Sequence, residues 1–596
     1  MERIEDYAMI GDCQTAALVS KDGSIDWLCL PYFDSAACFA SLLGSKENGR
    51  WSIHPREQIT SFSRSYRQDS LVLESVYETH EGKFLLADFM PLDNPHNIIR
   101  VIKGIKGKVH VDMELNPRFE YGNLIPMILH EGNVIRMVKG PDQLLFTGHN
   151  VKLETKDNAV KASFNIAKGE EISFQLSWSH SHEAQPEIVN CSEAMERTCA
   201  YWKKWLEKCH IDDDSPHPEI VKRAVIVLKA MTQSSTGSIV ASITTSLPEE
   251  IGGCRNWDYR FCWPRDAALA MRAVINSTGQ QEEIKAWREW IMRATAGIPS
   301  QMEILYALDG SRSMYEIELT GLKGFQGSKP VRIGNKAREQ VQLDIYAAVI
   351  EVFYLADKMG FPPMPECWDL ARAILLYLEK IWNDPDEGIW EVRGPKRHFT
   401  HSKIMVWDAF NLCIKAHDEL GIEGPVEHWK MVRDMIRKDV CENAFNEEVN
   451  SFTQFYGSNE VDATLLRIPL TGILPVDDPR VVSTIEKIER DLILEEGLLM
   501  RYRPNPIVEG LPEAGKRAFL LCSSWLGEVY VLQGRIKEAE NVFNKLVSIA
   551  NDVGLLAEQY DPVAKRQFGN FPQAFSHIAL IRLEIALCQA RKGSGC

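Results

Sequence analysis

The sequence predicts an N-terminal antiparallel β-sandwich over residues 1–192, a linker helix over 193–217 and an (α/α)6 barrel over 218–596. The hydrophobic pattern has a period of two in the first third of the chain and changes to a helical period from Pro218 onward. A chain of 596 residues, 45% of them hydrophobic, is too long for one ordinary core. The fold class is therefore multidomain, with a β part followed by an α part.

Two segments of the first third alternate between apolar and polar residues. The apolar positions are Val109, Val111, Met113 and Leu115 in one segment and Ile172, Phe174, Leu176 and Trp178 in the other. This alternation predicts strands with one buried face. Turn sequences at 131–133 and 140–142 separate short strands, which favours antiparallel pairing in a sandwich over a parallel sheet.

The polar run 193–209 carries Trp202 and Trp205 at helical spacing, so we expect a helix packed on the seam between the domains. Roughly twelve helical segments follow, several ended by a glycine such as Gly421 or Gly534. The clearest apolar stripe consists of Ala539, Val542, Phe543, Leu546 and Ile549. No repeat of fixed length recurs, which disfavours an open solenoid and favours a closed ring of six helical hairpins.

Charge and composition exclude several classes of partner. The net charge of -16 and the isoelectric point near 5.5 argue against nucleic acid and anionic membranes. The acidic excess is spread along the chain and indicates solubility rather than a binding tail. The first six residues are polar and acidic, and no apolar run approaches transmembrane length, so we expect a cytoplasmic protein.

The sequence lacks the motifs of metal binding, phosphate binding and serine-nucleophile hydrolysis. The fourteen cysteines are scattered without metal-type spacing, so we expect reduced, mostly buried thiols, no structural metal and no cofactor. Gly252 and Gly253 are not followed by the lysine and hydroxyl of a phosphate loop. The segment 235–238 lacks the strand context of a serine hydrolase nucleophile.

Three separated motifs carry the candidate chemistry: residues 257–266, residues 387–394 and residues 555–562. In the second motif Glu391 follows Trp390, and a carboxyl group packed on an indole loses solvation and tends to keep its proton near neutral pH, as a general acid must. The positive charge of the nearby Arg393 would instead favour the ionised form of Glu391. The alternative is a surface acid in a turn. The third motif contains Glu558 and is followed by the segment 569–577.

These motifs, together with the N-terminal segments 5–12 and 22–31, resemble the inverting α-glucosidases of glycoside hydrolase family 15, the glucoamylase and trehalase family. The resemblance covers nearly the whole chain, and its N-terminal part resembles the trehalase branch. It implies a β-sandwich followed by a catalytic (α/α)6 barrel, whose loops at one end carry the active site.

The resemblance implies Glu391 as the general acid and Glu558 as the general base. Inversion needs two such carboxyl groups about 6.5–9.5 Å apart, one to protonate the leaving oxygen and one to activate water. We expect the polar neighbours Gln559 and Tyr560 to keep Glu558 ionised. Relatives in the trehalase branch often carry an acid directly after the base, whereas this chain has Gln559, so the substrate is left open between the two branches.

Further residues are implied to bind the sugar. Arg265 and Asp266 are expected to hold hydroxyl groups of the terminal, non-reducing glucose, and the alternative for Asp266 is a helix cap. Tyr346, in the segment 342–346, and Arg501 are implied sugar contacts, with ordinary loop or core positions as the alternative. The candidate pocket walls, each of which could instead be a core residue, are Trp257, Trp263, Trp390 and Trp407.

The sequence therefore predicts an exo-acting glycoside hydrolase that releases glucose from a small α-glucoside, with trehalose as the preferred substrate. Glucoamylase-type hydrolysis of α-1,4-linked malto-oligosaccharides is the alternative. A barrel that binds a small molecule without hydrolysing it is a third reading. The presence of both Glu391 and Glu558 argues against that reading. The expected partner is a small sugar, without nucleic acid or membrane, and homo-oligomerisation is left open.

Overall fold

The computed structural model describes residues 2–209, 211, 215–278, 281–295, 298–512 and 515–593. An antiparallel β region is followed by a helical region, as the change of hydrophobic period predicts. All thirteen cysteines within the described residues are free thiols, and Cys596 lies outside them. None of the helices described is both long enough and apolar enough to cross a membrane.

Fifteen strands, all paired antiparallel, form the N-terminal sheet. They are β1 (Ala8–Gly11), β2 (Ala16–Val19), β3 (Ser24–Cys29), β4 (Ala37–Phe39), β5 (Arg50–Pro55), β6 (Ile59–Tyr66), β7 (Leu73–Thr79), β8 (Gly82–Phe89), β9 (Asn97–Asn116), β10 (Met127–Glu131), β11 (Val134–Lys139), β12 (Asp142–His149), β13 (Glu154–Lys156), β14 (Ala159–Ala167) and β15 (Glu171–His180). The main order is β1-β2-β3-β5-β9-β15-β12-β11-β10.

The long strand β9 joins the two halves of this sheet. Its first part, 97–103, pairs with β15, and its last part, 111–116, pairs with β5. The apolar residues of the second half, Val109, Val111, Met113 and Leu115, are at most 2% exposed, while the polar residues between them are partly exposed. The predicted alternation is confirmed there, because only one face of this half of the strand lies against the core.

Strand β15 departs from that pattern. Its polar residues Ser173, Gln175 and Ser177 are buried as well, so the prediction of a single buried face is wrong for this strand. The reason is its central position between β9 and β12 and the chain segment that covers its second face. Gln175 donates to the carbonyl oxygen of Glu187 and accepts from the amide of Val189, both at about 3 Å.

The helical region contains α-helices of very different lengths. With the short turn α1 (Phe119–Gly122) of the β region, the helices are α2 (Cys191–Leu206), α3 (Pro218–Ala230), α4 (Pro264–Thr278), α5 (Gln281–Thr295), α6 (Ile345–Lys358), α7 (Pro365–Ile381), α8 (Thr400–Leu420), α9 (Val426–Asn443), α10 (Arg467–Thr471), α11 (Pro479–Leu492), α12 (Pro506–Glu509), α13 (Leu520–Leu532), α14 (Ile536–Ser548) and α15 (Ala574–Gly593). The stripe predicted over 539–546 is buried in α14, as expected.

Helix α2 lies between the sheet and the helical region. Asn190 caps its first turn by accepting from two backbone amides. Met195 packs in a cluster with Phe89 and Val101 of the sheet. At the other end of the helix, the Trp205 indole donates at 2.9 Å to Glu283 of α5. The helix therefore packs on the seam, where the sequence places it.

Six helices make a closed ring: α4 packs on α6, α6 on α8, α8 on α10, α10 on α13, α13 on α15, and α15 on α4. A further helix packs on most members of the ring, with α5 on α4, α7 on α6, α9 on α8, α14 on α13 and α3 on α15. Helix α11 packs on the short 3-10 turn Ala463–Leu466 that leads into α10. Residues at the amino-terminal ends of α4, α13 and α15 open onto one shared cavity.

Candidate active site

A cavity of about 800 Å³, counted together with the solvent at its mouth, lies at this end of the ring. Eight of the ten residues that the sequence nominates line it: Trp257, Trp263, Arg265, Asp266, Trp390, Glu391, Arg501 and Glu558. They come from segments separated by up to three hundred residues, and the fold brings them together. The other two, Tyr346 and Trp407, do not line this cavity.

The structure places Tyr346 and Trp407 in the core instead of the pocket wall. The Tyr346 hydroxyl donates at 3.2 Å to the carbonyl oxygen of Pro299, and its ring packs on Tyr377. Trp407 is only 5% exposed and lies two turns inside α8, about 10 Å along the helix from its start. Both are buried outside the lining of the cavity in the sugar-free protein, and their contact with the sugar stays a prediction.

Glu391 sits at a strained point of its loop. Its φ of 55° falls in the left-handed region, which is costly for a residue with a side chain and recurs at functional sites. The turn begins at Gly388, whose own φ is 67° and where an added Cβ would lie 2.8 Å from the Phe399 ring. Gly388 is therefore required both for its conformation and for close packing. The rigid turn directs the Glu391 carboxyl group into the cavity.

Two groups contact the Glu391 carboxyl group. The Trp263 indole nitrogen donates a hydrogen bond of 2.8 Å to Oε1, and the Arg265 guanidinium lies 3.6 Å from the same oxygen. The Glu391 side chain keeps 20% of its surface exposed, so it remains open to the cavity. Glu391 is thus held by donors on one side and accessible to a ligand on the other.

These contacts differ from those that chain neighbours suggest. The Trp390 indole donates to Asp462 at 2.8 Å, and its ring packs on Trp525. Arg393 pairs with Glu316 at 2.7 Å. Adjacent residues of a tight turn point in different directions, so Trp390 and Arg393 do not contact the Glu391 carboxyl group. Its aromatic and cationic partners, Trp263 and Arg265, come from the 257–266 motif instead. The prediction that Arg393 is the cation acting on Glu391 is wrong.

Glu558 is far more enclosed, at 3% exposure. Burial, with nearby Glu249 as the second cause, raises its pKa to about 8, while Arg501 and a hydrogen bond from Tyr259 act in the opposite direction. The prediction that polar neighbours keep Glu558 ionised is therefore wrong for the sugar-free protein. Below about pH 8 its carboxyl group holds a proton.

The side chains of Gln559 and Tyr560 do not solvate Glu558. Gln559 lines a second cavity of about 330 Å³, which shares Glu249 and Arg501 with the first. The Tyr560 ring lies 5.9 Å from the Lys545 ammonium group. The glutamine that departs from the trehalase-branch pattern thus lines a separate space.

Tyr259 and Trp263 connect the two glutamates. The Tyr259 hydroxyl donates at 3.0 Å to Glu558 Oε1, and its ring meets the Trp263 ring edge-to-face at 5.6 Å. Burial and Glu558 raise the pKa of Tyr259 well above its usual value, so its hydroxyl stays a donor. The two carboxyl groups are therefore positioned by one aromatic pair from a single motif.

Arg265 and Asp266 lie in the first turn of α4, which begins at Pro264. Asp266 therefore follows the cap position, against the helix-cap alternative. Arg265 bonds to Asp266 at 3.1 Å, to Gln342 at 2.8 Å and to Asp344 at 3.4 Å. Burial raises the pKa of Asp266 to about 7, although Arg265 acts against this shift. The network fixes both side chains facing the cavity.

Glu249 is a cavity residue that the sequence does not reveal. It is 3% exposed and pairs with Arg501 at 2.7 Å, while the Trp257 indole donates to its other oxygen at 3.3 Å. No local pattern marks an acid before a Gly-Gly turn as buried. Tyr259 is also missed, although it stands inside the 257–266 motif and could be nominated there as a hydroxyl donor.

Cationic side chains border the aromatic wall. The Arg332 and Arg393 guanidinium groups lie 4.7 Å and 4.4 Å from the Trp257 ring centre, within the range of cation–π attraction. Among the residues that the structure describes, no group of three or more His, Cys, Asp or Glu side chains is arranged to hold a metal ion. The recognition groups of the cavity are thus carboxyl groups, guanidinium groups and indoles, which suit a polyhydroxylated ligand.

The family model for Glycosyl hydrolases family 15 matches residues 215–584, and a model described as Trehalase-like, N-terminal matches residues 1–202. The chain belongs to glycosyl hydrolase family 15. This family 15 protein is therefore a glycoside hydrolase, which confirms the resemblance inferred from its motifs.

Relatives match this family 15 hydrolase along nearly its whole length. A trehalase of Mycolicibacterium smegmatis is 32% identical over 621 residues, covering 99% of this chain and 92% of the relative. A trehalase of Thermoplasma volcanium is 31% identical over 601 residues, covering 99% and 94%. The crystal structure of a bacterial glucoamylase complexed with acarbose superposes with a TM-score of 0.74 at 13% identity, covering 99% of this chain and 94% of the other, which shows the shared fold.

Proposed function

We propose that this family 15 hydrolase cleaves trehalose to glucose with inversion at the attacked carbon. The observation that carries the proposal is that Glu391 and Glu558, 167 positions apart, share one cavity with Arg265 and Asp266. The similarity to trehalases over the full length of the chain supports the choice of substrate.

In the proposed reaction Glu391 donates its proton to the bridging oxygen as the bond from that oxygen to the anomeric carbon breaks. Glu558 takes a proton from water, whose oxygen bonds to the same carbon from the opposite face. Trp263 and Arg265 orient the acid, and Tyr259 orients the base. Each turnover leaves Glu391 ionised and Glu558 protonated, and solvent exchange resets both.

The base must be ionised in the reacting enzyme. Because burial and Glu249 raise the pKa of Glu558 to about 8, its ionised fraction rises as pH increases through that value. As long as Glu391 keeps its proton, we therefore expect kcat/KM to climb with pH on its acidic limb up to about pH 8. Arg501 and Tyr259 stabilise the ionised form of Glu558 and so lower its pKa. Without them the acidic limb of kcat/KM would lie at a still higher pH.

The first sugar is proposed to bind against Arg265 and Asp266, which hold hydroxyl groups that are free only on a terminal glucose. Buried polar groups left without partners are costly, so a sugar lacking those hydroxyl groups would be rejected. The indole rings of Trp257, Trp263 and Trp390 are proposed as the apolar walls. Arg501, which pairs with Glu249, is proposed to contact the second sugar.

We also infer the finer architecture. The closed ring of six helices with a further helix packed on its members supports an (α/α)6 barrel over 218–596. The course of β9 through both halves of the sheet supports a β-sandwich over 1–192, and α2 supports a linker over 193–217. The two family models, which end at 202 and begin at 215, are consistent with these boundaries. A cytoplasmic location stays a prediction.

The decisive experiment has two parts. Glucose release from trehalose, maltose and soluble starch is measured side by side, and trehalose is expected to give the highest kcat/KM. Proton NMR of the fresh trehalose hydrolysate then reports the anomers: inversion at one carbon yields α-glucose and β-glucose in equal amounts. A preference for maltose would support glucoamylase-type action. Purely α-glucose at first would contradict inversion, and no hydrolysis at all would favour a binding-only barrel.

A further inference from the structure

A ring of charged side chains lies inside the helical region, below the floor of the active-site cavity. Each of the six ring helices contributes one member: Arg272, Glu351, Asp408, Arg467, Glu528 and Arg582. Arg272, Glu528 and Arg582 each follow a cavity-lining residue of the same helix by seven positions. Seven residues are two helical turns, which places the charged ring about 10 Å beneath the sugar site.

Four members of the ring are paired. Arg272 bonds to Glu351, and Arg582 bonds to Glu528 at 2.7 Å and 3.1 Å. The space between them is not completely filled, because the Arg272 side chain keeps 29% of its surface accessible and Glu351 keeps 14%. We call this accessible space beside the charged groups of the ring the hollow.

Arg467 is the member without a partner. The residue is 4% exposed, yet no side chain or carbonyl among the described residues accepts a hydrogen bond or forms an ion pair with its guanidinium group. Burial, with Arg582 and Arg272, lowers its pKa to about 10, while Glu351 and Asp408 act in the opposite direction. A buried cation that no carboxylate bonds directly is unfavourable, so an anion beside Arg467 would stabilise it whenever Asp408 is neutral.

We propose that the hollow binds one small monovalent anion of the chloride class, held by Arg467 and supported by Arg272 and Arg582. The two glutamates that line the hollow already satisfy two of the three guanidinium groups, which leaves a single positive charge to balance. A dianion would add a charge that Glu351 and Glu528 repel. The site lies apart from the sugar cavity and does not depend on the proposed substrate.

Asp408 makes this binding depend on pH. Burial and the neighbouring Glu351 raise its pKa to about 7. The other groups that face it are Arg467 on α10, Arg272 on α4, and Lys415 and Asn411 on its own helix. Below about pH 7 Asp408 is neutral and the anion balances Arg467. Above that pH Asp408 becomes ionised, supplies the counter-charge itself and repels the anion, so affinity should fall as pH rises.

The test measures the unfolding temperature of the full-length protein in chloride and in gluconate at constant ionic strength. At pH 6 each tenfold rise in chloride is expected to raise Tm by about 1–2 °C, and at pH 8.5 by much less. Arg467→Met should abolish the chloride slope. Asp408→Asn, whose side chain stays neutral, should keep the slope at both pH values.

A matched control is Arg288→Met, because Arg288 is likewise buried, at 1% exposure, but pairs with Asp357 at 3.2 Å outside the hollow. That variant should unfold at a lower temperature and still show the wild-type chloride slope. If Arg467→Met does not fold, a bromide soak of wild-type crystals decides, with an anomalous peak expected beside Arg467. No peak, or equal chloride slopes in wild type and Arg467→Met, would overturn the proposal.

Discussion

The Tyr259 hydroxyl donates a hydrogen bond of 3.0 Å to Oε1 of Glu558. This bond favours the ionised form of the carboxyl group, so removing it should raise the pKa of Glu558 further above its value of about 8. We predict that Tyr259→Phe moves the acidic limb of kcat/KM for trehalose to higher pH and lowers the rate at neutral pH.

The control is Tyr346→Phe, which removes a buried hydroxyl group that bonds to Pro299 outside the cavity. Its pH profile should match that of the wild type. A Tyr259→Phe profile with an unmoved acidic limb would contradict the role given to this hydroxyl group.

Glu249 acts on Glu558 in the opposite sense. Its negative charge is the second cause of the raised pKa of Glu558, after burial. We predict that Glu249→Gln shifts the acidic limb of kcat/KM to lower pH. The same variant should raise KM, about tenfold, because Arg501 loses its partner at 2.7 Å and its orientation.

The adjacent Glu250 offers a matched control, since its side chain is 40% exposed. Glu250→Gln should leave both the limb and KM unchanged. If the acidic limb of kcat/KM moved to higher pH in Glu249→Gln, the charge of Glu249 would not be a cause of the raised pKa of Glu558.

The roles of the two glutamates can be separated by the leaving group. Glu391→Gln should reduce trehalose hydrolysis by about 10²–10⁴-fold, as expected for loss of a general acid. The same variant should keep most of its activity on α-glucosyl fluoride, because fluoride departs without protonation. Glu558→Gln should lose activity on both substrates, since water is no longer activated. Steady-state rates on both substrates check this assignment. If the acid and the base were exchanged, Glu558→Gln would keep activity on α-glucosyl fluoride and Glu391→Gln would lose activity on both substrates.

Trp263 and Trp407 test the boundary between site and core. Trp263→Phe removes the 2.8 Å hydrogen bond to Glu391 and should lower kcat by about 10–100-fold, with a smaller change in KM. Trp407→Phe alters a buried side chain that does not line the cavity, so it should lower Tm and leave kcat/KM near the wild-type value. Equal losses of kcat in the two variants would return Trp407 to the active site.

Local sequence patterns determined the elements and the chemical inventory of this protein. A period of two or of 3.6 residues depends only on which face of a strand or helix is buried, so the second half of β9 and α14 could be predicted from the chain alone. The separated motifs were sufficient to indicate the family, the pair Glu391 and Glu558, and the Arg265–Asp266 pair.

The tertiary structure alone decided which side chains meet. Glu391 takes its partners from a motif about 130 positions earlier, Glu558 is enclosed by Glu249 and Tyr259, and Tyr346 turns into the core. The charged ring around Arg467 likewise arises only when six helices close on one another. Burial and electrostatic neighbours are set by contacts between segments remote in the chain, and no local pattern encodes the direction in which a tight turn or a helix end points its side chains.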